Sequence, residues 1–161
     1  ASISEDQLKK MGGLIDMSLL WQWLAGADRV IGFNTLRFDA PVLKPYLPGD
    51  VMRLPHFDIL EKVKAVIGHR LSLDALAKET LGENKLANGL AAVDWWNAGD
   101  EESLDNLQKY CEMDVMVTKK LYDVGLRGEK LKYVSKWNEP KEFEVDFSYP
   151  KKEEEFQLGL F

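Results

Sequence analysis

Two acids in this chain stand where apolar packing is otherwise expected. Asp39 closes the run Gly32-Phe33-Asn34-Thr35-Leu36-Arg37-Phe38-Asp39, and Asp114 closes Tyr110-Cys111-Glu112-Met113-Asp114. A carboxylate taken out of water without a partner costs far more than a helix can spare. Asp114 must therefore be ion-paired, neutralised by a proton or bound to a cation, and a metal ion is one candidate. A salt bridge with Arg37 or a lysine is the structural alternative. Asp39 has its own, as an acid that favours a helix N-terminus.

The elements that hold these acids follow from periodicity. From Leu104 onward, Leu104, Leu107, Cys111, Val115, Thr118 and Leu121 recur at spacings of three and four, as on one face of an amphipathic helix. Asp114 lies at the edge of that stripe one turn after Tyr110, so both side chains project the same way. Cys111 is expected to pack. Upstream, Asp28-Arg29-Val30-Ile31-Gly32-Phe33 is a short β-branched run ending in glycine, which suggests a buried strand. Asn34-Thr35 supplies turn and cap chemistry, and Phe38, Val42, Leu43 and Leu47 give helical spacing as far as Pro48. Asp39 then falls in the first turn of a helix just beyond a strand end, where ligand sites of open α/β sheets concentrate.

At these residues the chain resembles a known superfamily. Gly-x-Asn-x-x-x-Phe-Asp followed by Tyr-x-x-x-Asp is similar to the second and third motifs of the DEDD-type 3′ to 5′ exonucleases, in the Tyr-bearing branch that includes the proofreading domains of family B DNA polymerases. The intervening Leu71-Ser72-Leu73-Asp74-Ala75-Leu76-Ala77-Lys78-Glu79-Thr80-Leu81-Gly82 resembles that family's helix between the two motifs. The likeness runs from about Asp28 to Tyr122. It implies an α/β, ribonuclease H-like exonuclease fold, with Asp39 and Asp114 as two of four metal-binding carboxylates. Tyr110 would orient the attacking water, and Asn34 and Phe38 would lie against the substrate strand. Two hard cations, Mg²⁺ or Mn²⁺, would activate water and stabilise the leaving 3′ oxygen during phosphodiester hydrolysis.

One departure from the family pattern is serious. The first motif, Asp-x-Glu on the opening strand, supplies the other two carboxylates, and nothing of that form precedes Val30. Leu14-Ile15-Asp16-Met17-Ser18 carries Ser where Glu is required. Phe57-Asp58-Ile59-Leu60-Glu61 comes after the second motif with its acids three apart, and Asp58 reads instead as the start of a helix running to Ile67. Two expectations follow. The opening strands lie outside this chain, which the start at Ala1 favours, or the chain is a relative that has lost catalysis. With two of four ligands it is expected to be catalytically incomplete.

Composition sets outer limits. The 161 residues, 45% hydrophobic and 11% aromatic, suffice for one folded core. A net charge of −6 argues against binding over a broad basic surface, although an acidic nuclease can still hold a strand end through metals and local cations. The single cysteine suits a reducing cytosol, and no apolar run approaches the roughly 18 residues of a membrane span. The expected location is the cytoplasm, with no membrane partner.

The coarse order is helix, strand, three helices, a long helix and a tail. The first helix, about Leu14 to Ala25, puts Leu14, Met17, Trp21 and Leu24 on one side and is expected to pack on the sheet. Arg53 to Phe57 suggests a short strand that Pro55 confines to an edge. Ser72 caps a helix to Thr80 that Gly82 ends. Trp95 and Trp96 are read first as packing aromatics and second as a base-stacking platform. His56 and His69 have no partner at metal-ligand spacing. Lys130 to Val134 and Glu142 to Phe147 alternate and are expected to pair as a hairpin around Asn138-Glu139-Pro140. The resulting division is a ribonuclease H-like domain over 1–128, a hairpin extension over 129–150 and an acidic tail over 151–161.

That tail ends in Gln157-Leu158-Gly159-Leu160-Phe161 after the charged run Lys151-Lys152-Glu153-Glu154-Glu155. The ending resembles the pentapeptide by which bacterial polymerases and repair proteins bind the sliding clamp. Leu160 and Phe161 would fill a pocket, with Leu158 beside them and Gln157 hydrogen-bonding at its rim. The alternative is that these residues fold back onto the chain's own domain. Together the two resemblances imply a 3′ to 5′ exonuclease-related domain acting on the single-stranded 3′ end of nucleic acid, DNA by preference, in bacterial replication or repair. The competing reading is a non-catalytic nucleic-acid-binding or clamp-associated module.

Overall fold

The two strands that carry the architecture are only three residues each. In the computed structural model, which describes residues 17–83 and 89–149, β1 (Val30–Gly32) lies parallel to β2 (His56–Asp58), in the register Val30 to His56, Ile31 to Phe57 and Gly32 to Asp58. Parallel neighbours need a long crossover. Residues 33–55 supply it through the short helix α2 (Asp39–Leu43) and a 3₁₀ turn at Val51–Arg53. Pro41 is accommodated because it lies within the first turn of α2, where its missing N–H is no loss.

The remaining helices are set by local chemistry. Asp58 ends β2 and caps α3 (Ile59–Ile67), accepting from the Leu60 N–H, and Gly68 closes that helix at a φ of 81°. Ser72 caps α4 (Leu73–Leu81) by accepting from the Ala75 N–H, and Gly82 terminates it at a φ of 71°. Both are left-handed termini that glycine adopts without a Cβ clash. α5 (Gly89–Ala98) leads into the 26-residue α6 (Glu101–Leu126), capped by Asp100. An antiparallel hairpin follows, β3 (Leu131–Val134) with β4 (Pro140–Phe143). Its second strand starts two residues before the alternating stretch Glu142 to Phe147 that the sequence suggested.

One main core joins these elements. Phe57 and Ile59 meet Leu76 of α4, Leu121 of α6, and Leu131 and Phe143 of the hairpin. The hairpin is thus part of the central packing. Phe147 is 2% exposed and completes an aromatic triangle with Phe57 at 5.0 Å and Tyr122 at 5.6 Å between ring centroids. It lies so close to α6 that a Cβ at Gly125 would come within 2.3 Å of its ring. Arg29 fastens the same segment: its guanidinium donates to the Tyr122 hydroxyl and the Phe147 carbonyl, both at 2.9 Å, and to the Ser148 carbonyl at 2.8 Å.

Three packing expectations are corrected. α1 is described from Met17 to Ala25, and its Met17, Leu20, Trp21 and Leu24 pack on a second, smaller cluster of Ala40, Leu47 and Val51 instead of on the sheet. α2 buries Ala40, with Leu43 and Leu47 beside it, while Phe38 and Val42 face solvent. On α6 the buried residues are Val117, Leu121, Tyr122, Val124 and Gly125, whereas Cys111 and Val115 are exposed. Leu121 of the expected stripe is fully buried and Leu104, Leu107 and Thr118 are partly so; apolar residues on both sides of α6 allow more than one stripe, and contact with β1, α4 and β3 selects the buried one. Among the described residues no helix is long and apolar enough to cross a membrane. The clamp-like residues Gln157, Leu158, Leu160 and Phe161, and Asp16, lie outside the described residues.

Candidate functional site

Where β1 and β2 end, Gly32 faces Asp58, and the chain beyond Gly32 must turn sharply into α2. Thr35 folds back so tightly that a Cβ at Gly32 would sit 2.0 Å from its hydroxyl oxygen, so only glycine fits. The turn is tied down by Asp58, which is 3% exposed. Its Oδ1 accepts from the N–H of Asn34 at 2.8 Å and of Leu60 at 3.0 Å, and its Oδ2 accepts from the N–H of Leu36 at 3.0 Å. One buried carboxylate therefore caps α3 and clamps the β1–α2 turn. Asn34, held there at a φ of 65°, occupies the left-handed region that asparagine tolerates better than most residues.

A cleft of about 510 Å³ opens beside this turn. Phe33 and Asn34 form one wall, the segment from Arg70 into the first turn of α4 at Asp74 a second, and Tyr110 and Asp114 of α6 a third. Tyr110 and Asp114 are both half-buried and continue the line of Val117 and Leu121 towards the N-terminus of α6. Tyr110 also packs edge-on against Trp95 of α5 at 6.3 Å, which gives that tryptophan a packing role. Across the cleft mouth, Arg70 donates from Nη2 to Asn34 Oδ1 at 2.8 Å.

Asp39 and Phe38 stand outside the walls of this cleft. Phe38 directly precedes α2 and is 64% exposed. Asp39 is the first residue of α2, yet its carboxyl titrates above the ordinary 3.8. Burial of the carboxyl is the main cause, opposed by a bond from its own backbone N–H and reinforced by the negative charge of Asp58. A carboxylate serving mainly as a helix-dipole partner would shift the other way. The thiol of the largely exposed Cys111 is also pushed up, first by its partial burial, then by the charges of Asp114, Asp39 and Glu112. The charges of Asp39 and Asp114, 75 residues apart in sequence, thus both disfavour the Cys111 thiolate. Arg37, the salt-bridge partner considered for Asp114, pairs with Glu61 at 2.9 Å instead.

For a divalent ion the donor chemistry fits. Asp39 and Asp114 are oxygen donors of the kind hard cations take. Asp58 has its oxygens engaged by three backbone N–H groups. Among the described residues no group of three or more His, Cys, Asp or Glu side chains is placed to hold a metal. Two features of the site escaped the sequence. Asp58 read only as a cap, because its bonds to the turn depend on strand register. Arg70 carried no motif signal, because its partner Asn34 is 36 residues away.

A family model of the RNase H superfamily matches residues 7–125, which takes in β1, β2 and nearly all of α6. The chain belongs to the RNase H superfamily. That membership accords with the mixed α/β architecture, points to nuclease-type activity on nucleic acid, and joins the chain to nucleases that generally use divalent metals. No curated protein and no solved structure matches it.

Proposed function

We propose that this chain is a 3′ to 5′ exonuclease-related domain of the Tyr-bearing DEDD type, acting on the single-stranded 3′ end of DNA in bacterial replication or repair. The observation that carries the reading is the convergence of Tyr110 and Asp114 on the cleft walled by Asn34, with Asp39 and Asp114 both acting on Cys111. Asp39 and Asp114 would hold Mg²⁺ or Mn²⁺. When bound, such ions lower the pKa of water and stabilise the leaving oxygen. Tyr110, braced by Trp95, presents a hydroxyl that can orient a water beside Asp114. Asn34, in the cleft wall, would lie against the entering strand, and Phe38 offers an exposed ring for a terminal base.

The second reading, a nucleic-acid-binding module without catalysis, rests on the sequence, in which no Asp-x-Glu precedes the second motif. Under either reading the ending Gln157 to Phe161 supports, by its sequence, docking on a bacterial sliding clamp in the cytoplasm. A 5′-labelled single strand incubated with the chain and Mg²⁺ or Mn²⁺ separates the two. Stepwise shortening from the 3′ end, reduced at least 100-fold by Asp114→Ala, is expected for the enzyme. Binding without shortening identifies the module. Shortening that Asp114→Ala leaves unchanged overturns the site.

A further inference from the structure

We propose that Arg70 is the phosphate-binding residue of the cleft, gripping the last phosphodiester of a single strand while Asn34 holds it in position. This rests on the reading of the cleft as a nucleic-acid site. The cleft walls carry Asp74 and Asp114, and Asp39 and Asp58 stand nearby, so a polyanion would meet repulsion unless a cation offset it. Arg70 is the one basic side chain among the cleft's described walls.

The guanidinium is nevertheless not loose. One of its five N–H donors is taken up by Asn34 Oδ1 at 2.8 Å, which leaves a planar fork for the paired oxygens of a phosphate. Asn34 is itself fixed, through its backbone N–H, to the buried carboxylate of Asp58. A chain of two hydrogen bonds thus runs from the core to the exposed cation and reduces the ordering cost of binding. Phosphate contact gives affinity without base preference, as a residue acting on any 3′ end requires.

Fluorescence anisotropy of a labelled eight-nucleotide oligo-dT, with Ca²⁺ as the divalent ion and salt varied, tests this. Arg70→Ala is expected to weaken binding about tenfold and to reduce the slope of log K against log salt by about 0.7, the value for one phosphate contact on a single strand. Arg70→Lys restores the slope but less of the affinity, because the charge returns without the fork. Asn34→Ala weakens binding and leaves the slope intact, as a positioning residue should. An oligonucleotide with a neutral methylphosphonate at its last linkage loses the same affinity on the wild type and nothing further on Arg70→Ala. If Arg70→Ala binds with unchanged affinity and slope, the assignment fails and the nuclease reading stands. Failure of the wild type to bind the strand overturns both.

Discussion

Replacing Asp58 by alanine tests whether one buried carboxylate organises both a helix start and the turn that leads to the site. The side chain accepts three backbone N–H bonds, two from the β1–α2 turn and one from the first turn of α3. Leaving a buried N–H without a partner costs about 1–3 kcal/mol. The Asn34 and Leu36 amides are only partly buried, so water offsets some of the loss, and a total of about 3–5 kcal/mol is expected. That is a large share of the roughly 5–15 kcal/mol by which a domain is stable. Ser72→Ala is the control, since Ser72 accepts a single cap bond from the Ala75 N–H and should cost about 1 kcal/mol. Urea titration of both variants, at unchanged denaturant slope, reads the difference. Hydrogen exchange should show faster exchange at Asn34 and Leu36 in Asp58→Ala only. If the two variants lose stability equally, Asp58 is no more than a cap and its clamp on the turn is energetically empty.

Asp39 gives a pH test with a definite sign. Its folded carboxyl titrates above the ordinary 3.8, so the folded state holds the proton more tightly than the unfolded chain, and stability falls as pH rises from that value through the raised one. Asp39→Asn should melt higher than the wild type at pH 7 and match it near or below about pH 3, the gain vanishing once Asp39 is protonated in both states. An equal gain at both pH values refutes the assignment. Mg²⁺ or Mn²⁺ should raise the melting temperature of the wild type at pH 7 and leave Asp39→Asn unmoved. For the tail, a bacterial sliding clamp should retain the wild-type chain in a pull-down and release Leu160→Ala, and equal retention, or none of either, removes the clamp from the proposal.

Helix ends and the candidate residues of the site could be read from the chain because their chemistry is local. Ser72 and Gly82 bound α4, and Asp58 starts α3, through contacts within a few residues of each. Tyr110 and Asp114 share a face because one helical turn separates them. Tertiary packing decided what spans many residues. Which residues of α6 are buried, the docking of α1 on a second cluster and the fastening of Phe147 and Ser148 by Arg29 all depend on which surfaces meet. The same holds at the cleft. Asp58 reaches Asn34 only because β1 and β2 run parallel with Gly32 opposite Asp58, and Arg70 reaches Asn34 only because the α3–α4 loop returns to that strand end. Local sequence carries the capping and the periodicity, since both act over one or two turns. Register, burial and the placement of Arg70 are collective properties of the packed chain, and they set Asp114 in one wall of a charged cleft while leaving Asp39 outside it.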